Sequence, residues 1–266
     1  MAQAGLTGSP RVLIYDLETG FNVLAAFALF GTDYHPHQNI LQERTIICAN
    51  WMWLGENKVN TVSVLDNQKR FKKNPVDDYH VVSKMREVME EADIIVTHNG
   101  DSFDNKYMKA RSIYHGFGPL APFKSIDTKK IAKTGFMFNS NRLDYLGRFL
   151  GVGRKIETRP NLWLEALRGD VKAIKDMIHY GKGDVVLLRD VFLKMLPWMP
   201  EAVNRELYGG QANECPRPGC GSRNIQRRGL HRAISQVYQR WQCQACHGWF
   251  RTAKAEKRAP VTLRVL

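Results

Sequence analysis

The run RVLIYDLETG (residues 11–20) leaves this chain the least freedom in choosing a fold. Four apolar residues, Val12 to Tyr15, are followed by Asp16, Leu17 and Glu18 and stopped by Gly20, the pattern of a buried strand ended by a turn. Residues two apart on a strand share a face, so Asp16 and Glu18 project together from its end. Two carboxylates held that close repel, and each raises the other's pKa unless a cation neutralises them. A divalent metal is the simplest remedy. The strand therefore has to sit in a sheet whose end is built for charged chemistry.

The neighbouring segments supply such a sheet. NVLAAFALF (22–30) and TIICANWMWLG (45–55) read as its neighbours, and KVNTVSVLD (58–66) alternates as an edge strand does. A helix is expected in DDYHVVSKMREVMEEA (77–92), then a strand in DIIVTHNG (93–100), a helix over 104–115 and a strand in FKSID (123–127). Residues 141–150, 160–168 and 170–195 keep helical spacing, and KRFKK (69–73) reads as a solvated loop. Consecutive early strands suggest an antiparallel meander and the later alternation a crossover, which gives an α/β class with a mixed sheet. YGGQANECPRPG (208–219) is turn-rich and polar, so the expected division is one domain over 1–200 and a smaller one over 201–266. The longest apolar run, residues 23–30, is far shorter than the ~20 residues a membrane-spanning helix needs. MAQAGLTGSP lacks the basic flank and apolar stretch of a secretion signal, so a cytosolic protein without a membrane partner is expected.

Two further acids stand where α/β proteins place ligands. Asp104, in THNGDSFDNKY, opens a helix just after a strand, and Asp184 lies in HYGKGDVVLLRDVF late in the helical region. Oxygen-only sites of this kind favour Mg²⁺ or Mn²⁺, and two such ions roughly 4 Å apart can hold both the attacking and the leaving oxygen of a phosphodiester displacement.

The order and context of these segments resemble the DEDD superfamily of 3′–5′ exonucleases, whose fold is of the ribonuclease H type. Its Asp-x-Glu motif is matched by Asp16 and Glu18; its Asn–Gly loop ending in Phe–Asp by Asn99, Gly100, Phe103 and Asp104; its third motif by Asp184. The resemblance spans roughly residues 10–196. It implies that Asp16, Glu18, Asp104 and Asp184 bind two Mg²⁺ or Mn²⁺ ions. It implies also that Asn99 and Phe103 shape the pocket for terminal nucleotides and that Leu17 presses on a terminal base. Asp101, Asp127, Asp144 and Asp190 lie off the motifs and are expected to be dispensable for chemistry, and His98 to be structural.

The third motif is ambiguous, because one branch of the superfamily carries Tyr-x-x-x-Asp and the other His-x-x-x-x-Asp, and both Tyr180 and His179 precede Asp184. On a helix, positions four apart lie about 40° from each other and positions five apart about 140°, so Tyr180 shares the face of Asp184. DVVLLRDVFLKM also resembles the tyrosine branch, which includes polymerase proofreading domains and stand-alone phage nucleases, so a bacterial or phage-infected cytosol is the implied setting. Gly181 and Gly183 weaken the helix and keep His179 open as the alternative.

Four of the five cysteines fall beyond residue 200. Cys215-x4-Cys220 and Cys243-x2-Cys246 are separated by a stretch long enough for a hairpin that brings both pairs around one tetrahedral Zn²⁺, and Pro216, Pro218, Gly219, Gly221 and Gly248 give the turns. This stretch resembles zinc ribbons, although its first pair is wider than their usual spacing. The module is too poor in apolar residues to fold without metal. Residues 201–266 hold 12 Lys/Arg against 4 Asp/Glu, most of the chain's net charge of +13. Such an excess suits a polyanion. Arg223, Arg227, Arg228, Arg232 and Arg240, interleaved with Tyr238 and Trp241, are the candidate nucleic-acid contacts.

The leading expectation is a metal-dependent 3′–5′ exonuclease on DNA with a ribonuclease H-like domain and a C-terminal zinc ribbon. An exoribonuclease, a structure-specific nuclease and a non-catalytic nucleic-acid adaptor are the alternatives, and the ribbon is open to a polymerase or another replication protein as partner.

Overall fold

The computed structural model describes residues 10–26, 35–199, 204–208, 210–233 and 235–258. The chain divides into two compact units, Arg11–Val191 and a second built from Phe192 onward.

The first unit is a five-stranded mixed sheet flanked by helices. Its strand order is β5-β4-β1-β6-β7, with β1 Val12–Thr19 at the centre, β4 Ile46–Trp53 and β5 Asn60–Ser63 on one side, and β6 Ile94–Thr97 and β7 Lys124–Asp127 on the other. β4 runs antiparallel to β1, while β6 is parallel to it, as the meander and the later crossover require. Val12, Leu13, Ile14 and Tyr15 are all buried because β1 has a hydrogen-bonded neighbour on each edge and cover on its faces. The cover comes from α2 Tyr79–Glu90, α3 Asp104–Tyr114, α6 Leu162–Leu167 and α7 Val171–Met195, whose Val82, Met85, Met108, Leu162, Ile174 and Met177 join one core with the sheet. α4 Thr128–Gly135 and α5 Leu143–Phe149 complete the helices after β7.

Two expectations are corrected here. Val23–Leu24 (β2) does not neighbour β1; it pairs with β3 Ile40–Gln42 in a separate two-stranded ladder. Both edges of β1 are already taken by β4 and β6. Residues 27–30 of that run lie outside the described residues. KRFKK is not a loop but the body of α1 Gln68–Lys73, started by the Asn67 side chain accepting the Arg70 N–H at 3.2 Å.

The second unit centres on the antiparallel pair β8 Ile225–Arg232 and β9 Gln236–Cys243, with β10 Trp249–Arg251 and β11 Lys257–Arg258 also pairing with β9. Its one buried guanidinium among the described residues, Arg217, is 5% exposed and donates to the carbonyls of Leu196, Met199 and Trp249. Among the described residues no helix is long and apolar enough to cross a membrane.

Candidate functional site

β1 delivers the first two acids. Asp16 stands opposite Asn50 of β4 and Glu18 opposite Cys48, and the register slips between Glu18 and Thr19, a bulge at the point where the strand leaves the sheet. Asp184 comes from the middle of α7. One carboxylate oxygen from each of Asp16, Glu18 and Asp184 lies within 4.8 Å of the others. Asp104 stands at the N-terminal end of α3 outside that triad, and its Oδ1 accepts the Leu17 N–H at 3.2 Å.

α7 reaches the sheet through its glycines. A Cβ on Gly181 would stand 2.3 Å from Asn50 Nδ2 and 3.4 Å from Glu18, and one on Gly183 would stand 2.7 Å from Ile156. The helix nevertheless runs unbroken through both residues. They are there for close approach, which sets Tyr180 and Asp184 down beside β1, while His179 stays exposed. Gly181→Ala is expected to push α7 off the sheet, costing roughly 1–3 kcal/mol by overpacking. Thermal unfolding of the variant measures the loss, and an unchanged melting temperature would contradict the contact.

The loop of the second motif depends on similar crowding. Asn99 takes a left-handed φ of 78°, and a Cβ on Gly100 would fall 2.1 Å from Thr97 Oγ1. Asp127 holds this loop. Its carboxylate accepts N–H groups from Asn99 and Asp101 as well as capping α4 through Lys129 and Lys130. Phe103 stacks on Tyr107 at 5.7 Å with Arg44 over both rings. Leu17 is 5% exposed within the core, so its link to the site is its backbone N–H. His98 bridges Thr128 Oγ1 and the Asn141 carbonyl, and burial lowers its pKa to about 4.

The electrostatics show what the triad lacks. Burial, then the neighbouring acids Asp104, Glu18 and Asp184, hold Asp16 well above the usual carboxylate range. Burial and Asp184 push Glu18 up to about 8, and burial pushes Asp104 up to about 7. Asp184 is 2% exposed and also raised by burial, and its Oδ1 is buried without a hydrogen-bond partner. A buried carboxylate that keeps one oxygen unpartnered and stands in a cluster with two more acids fits a hard divalent cation.

Lys155 is a residue of the candidate site that the sequence pattern missed. Its Nζ lies 2.6 Å from Asp184 Oδ2 and 2.9 Å from the Tyr180 hydroxyl, and its backbone N–H donates to Asp144 at 2.9 Å. Among the described residues it thus brings the one positive charge that bonds Asp184. It sits in a loop with no periodicity, and a lysine in GRKIE carries no signal that would have found it. Asp144, expected to be dispensable, positions it.

The family model described as RNase_H superfamily (RNase_H_2) matches residues 42–196, more than half of the chain. The chain belongs to the RNase H superfamily. No curated protein matches it. Among solved structures it is similar to the family B DNA polymerase from the hyperthermophilic archaeon Pyrobaculum calidifontis, with 15% sequence identity and a TM-score of 0.51. That match covers 71% of this chain and 25% of the polymerase, so the RNase H-superfamily chain spans about a quarter of its relative's length. The likeness is one of fold.

The second unit of this RNase H-superfamily chain gathers its own donors. The sulfurs of Cys215, Cys220, Cys243 and Cys246 lie within 4.8 Å of one another, with Cys215–Cys246 and Cys220–Cys243 each at 3.7 Å. All are free thiols. Zinc bound to four thiolates at about 2.3 Å places its sulfurs roughly 3.8 Å apart, so this cluster can form a zinc site. His247 lies outside it, exposed at a left-handed φ of 59°. Arg223, Arg227, Arg228, Arg232 and Arg240 are all exposed, Arg223 also bonding Glu214 and Gln211 and Arg240 the Arg228 carbonyl.

Proposed function

We propose that this chain is a metal-dependent nuclease that hydrolyses phosphodiester bonds at the 3′ end of DNA. The observation that carries the reading is the convergence of Asp16, Glu18 and Asp184, one oxygen of Asp184 being buried without a partner, on a fold of the RNase H superfamily. The similarity to a DNA polymerase favours DNA over RNA.

In this reading Asp16, Glu18, Asp104 and Asp184 hold two Mg²⁺ or Mn²⁺ ions, which when bound supply Lewis acidity and make water a nucleophile at neutral pH. Burial pushes the Tyr180 phenol up to about 12, so it stays protonated and orients the attacking water rather than taking its proton. Lys155 fixes both that hydroxyl and the Asp184 carboxylate. Asn99 and Phe103 border the entrance for the terminal nucleotides. Residues 1–200 are the catalytic domain. Residues 201–266, with a structural Zn²⁺ on the four cysteines, hold the nucleic acid through Arg223, Arg227, Arg228, Arg232 and Arg240.

The test is a time course on DNA and RNA oligonucleotides of matched sequence, labelled at either end, with and without Mg²⁺. A 5′-labelled DNA strand is expected to shorten stepwise from its 3′ end only with the metal. A label released first from the 5′ end, or faster loss of RNA, would overturn the polarity or the substrate. Binding without product in Mg²⁺ and in Mn²⁺ would leave the adaptor reading.

A further inference from the structure

Between α4 and the end of α5 the chain reads GFMFNSNRLDYLGRF (135–149), and its aromatic side chains form one continuous array. Phe136 and Phe138 stack at 5.0 Å and 16° between ring planes. Phe138 meets Phe149 edge-on at 5.2 Å, and Tyr145 stacks on Phe149 at 5.9 Å. Such an array ordinarily closes a core, yet here Phe149 is 60% exposed and Met137 between the first two rings 101% exposed. Phe136, Phe138 and Tyr145 are half-buried, and an ordered apolar strip that keeps this much of itself in solvent marks a binding surface.

The strip adjoins the carboxylate site. Its Asn141 carbonyl is bonded to His98, which precedes the Asn99–Gly100 loop, and its Asp144 holds the backbone of Lys155, whose Nζ reaches Asp184. Its charge is equally one-sided. Residues 124–155 contain eight Lys/Arg and two Asp. Both aspartates are engaged internally, Asp127 by four backbone N–H groups and Asp144 by Lys155 and Arg148. What reaches solvent is the exposed Phe149 together with the half-buried Phe136, Phe138 and Tyr145, set among cations.

We infer that residues 136–149 are a stacking platform for the unpaired bases of a single-stranded nucleic acid, which they lead toward the carboxylates. The inference rests on the nuclease reading and extends it to a substrate class. A ring that reaches solvent, as Phe149 does, stacks on any unpaired base, and the surrounding lysines and arginines follow the backbone. A duplex keeps its base faces covered and gains nothing from such a strip. DNA and RNA single strands present the same faces.

The experiment measures anisotropy of fluorescein-labelled oligothymidylate, oligouridylate and a blunt DNA duplex with the full chain, in buffer without added divalent ion. Phe149→Ala is expected to weaken single-strand binding about 5- to 100-fold and to leave the duplex unchanged. Phe149→Trp should restore the affinity and Phe149→Leu should not, a distinction that a merely structural role would not produce. These variants should keep the slope of log Kd against log salt, whereas Lys130→Gln with Arg142→Gln should flatten it. A loss in either single-strand arm supports the platform and assigns the strand to that sugar. Equal binding by wild type and Phe149→Ala, full rescue by leucine, or no single-strand binding by the wild type overturns it and gives the strip to another occupant, such as a protein. The expected binding pattern with no hydrolysis in Mg²⁺ or Mn²⁺ would instead overturn the nuclease reading and leave the platform standing.

Discussion

Asp16→Asn is expected to lower the rate of phosphodiester hydrolysis by about 10³-fold or more, because the interaction lost is several kcal/mol of transition-state charge stabilisation. The same change should make the metal-free protein more stable above pH 6. The sign follows from the carboxyl groups themselves. Burial and mutual repulsion hold Asp16 well above its ordinary value, Glu18 at about 8 and Asp104 at about 7, so the folded protein keeps protons that the unfolded chain releases near pH 4 to 4.5. Stability from these groups is therefore complete below pH 4 and declines as pH rises toward 8. Removing one charge relieves the repulsion, on the order of 2 kcal/mol at pH 8, hence a few degrees of melting temperature, and little at pH 5. Mg²⁺ should do the same for the wild type at pH 8 and less for the variant. Melting curves at pH 5 and pH 8, with and without Mg²⁺, together with the rate on labelled DNA, decide the matter. A wild type indifferent to Mg²⁺ at both pH values, or a variant of undiminished rate, would remove the carboxylates from the chemistry.

Zinc removal is expected to have the larger structural effect. Structural zinc contributes about 10 kcal/mol or more to folding a small module. The unit that holds the cysteines has only a thin core, with Tyr238 as the single buried large side chain on β8 and β9 among the described residues. Stripping the metal, or replacing Cys246 by serine, should abolish hydrogen-exchange protection over 225–243 while protection of residues 12–19 persists, since the first unit has its own core. The purified protein should contain one zinc per chain. Absence of zinc alongside a protected β8–β9 pair would show that the sulfurs cluster for another reason.

The two clusters that could hold a metal differed in how much of them could be read beforehand. The sheet class, the Asp16–Glu18 pair and the Tyr180–Asp184 pair rest on periods of two and four residues, which local backbone geometry enforces wherever the segment ends up. The cysteine pairs rest on spacing and turn chemistry, again local. Asp127 was legible as a helix cap, but not as the anchor of the Asn99 loop 28 residues away in sequence. Gly181 looked like a weak point in a helix because propensity says nothing about the Asn50 side chain packed beneath it.

By itself the sequence determined most of the strands and helices, though not the helix at 68–73 or the pairing of Val23–Leu24, and also which acids share a face and that four thiols would meet, because each follows from the covalent repeat of the chain over a few residues. Tertiary structure alone decided that Asp184 joins Asp16 and Glu18 in one triad while Asp104 takes the Leu17 N–H beside it, that Lys155 bonds Asp184, and that Phe149 of the 136–149 array remains in solvent. Those outcomes depend on how closely one helix can approach one sheet and on what burial then costs each charge, and no local pattern encodes either quantity.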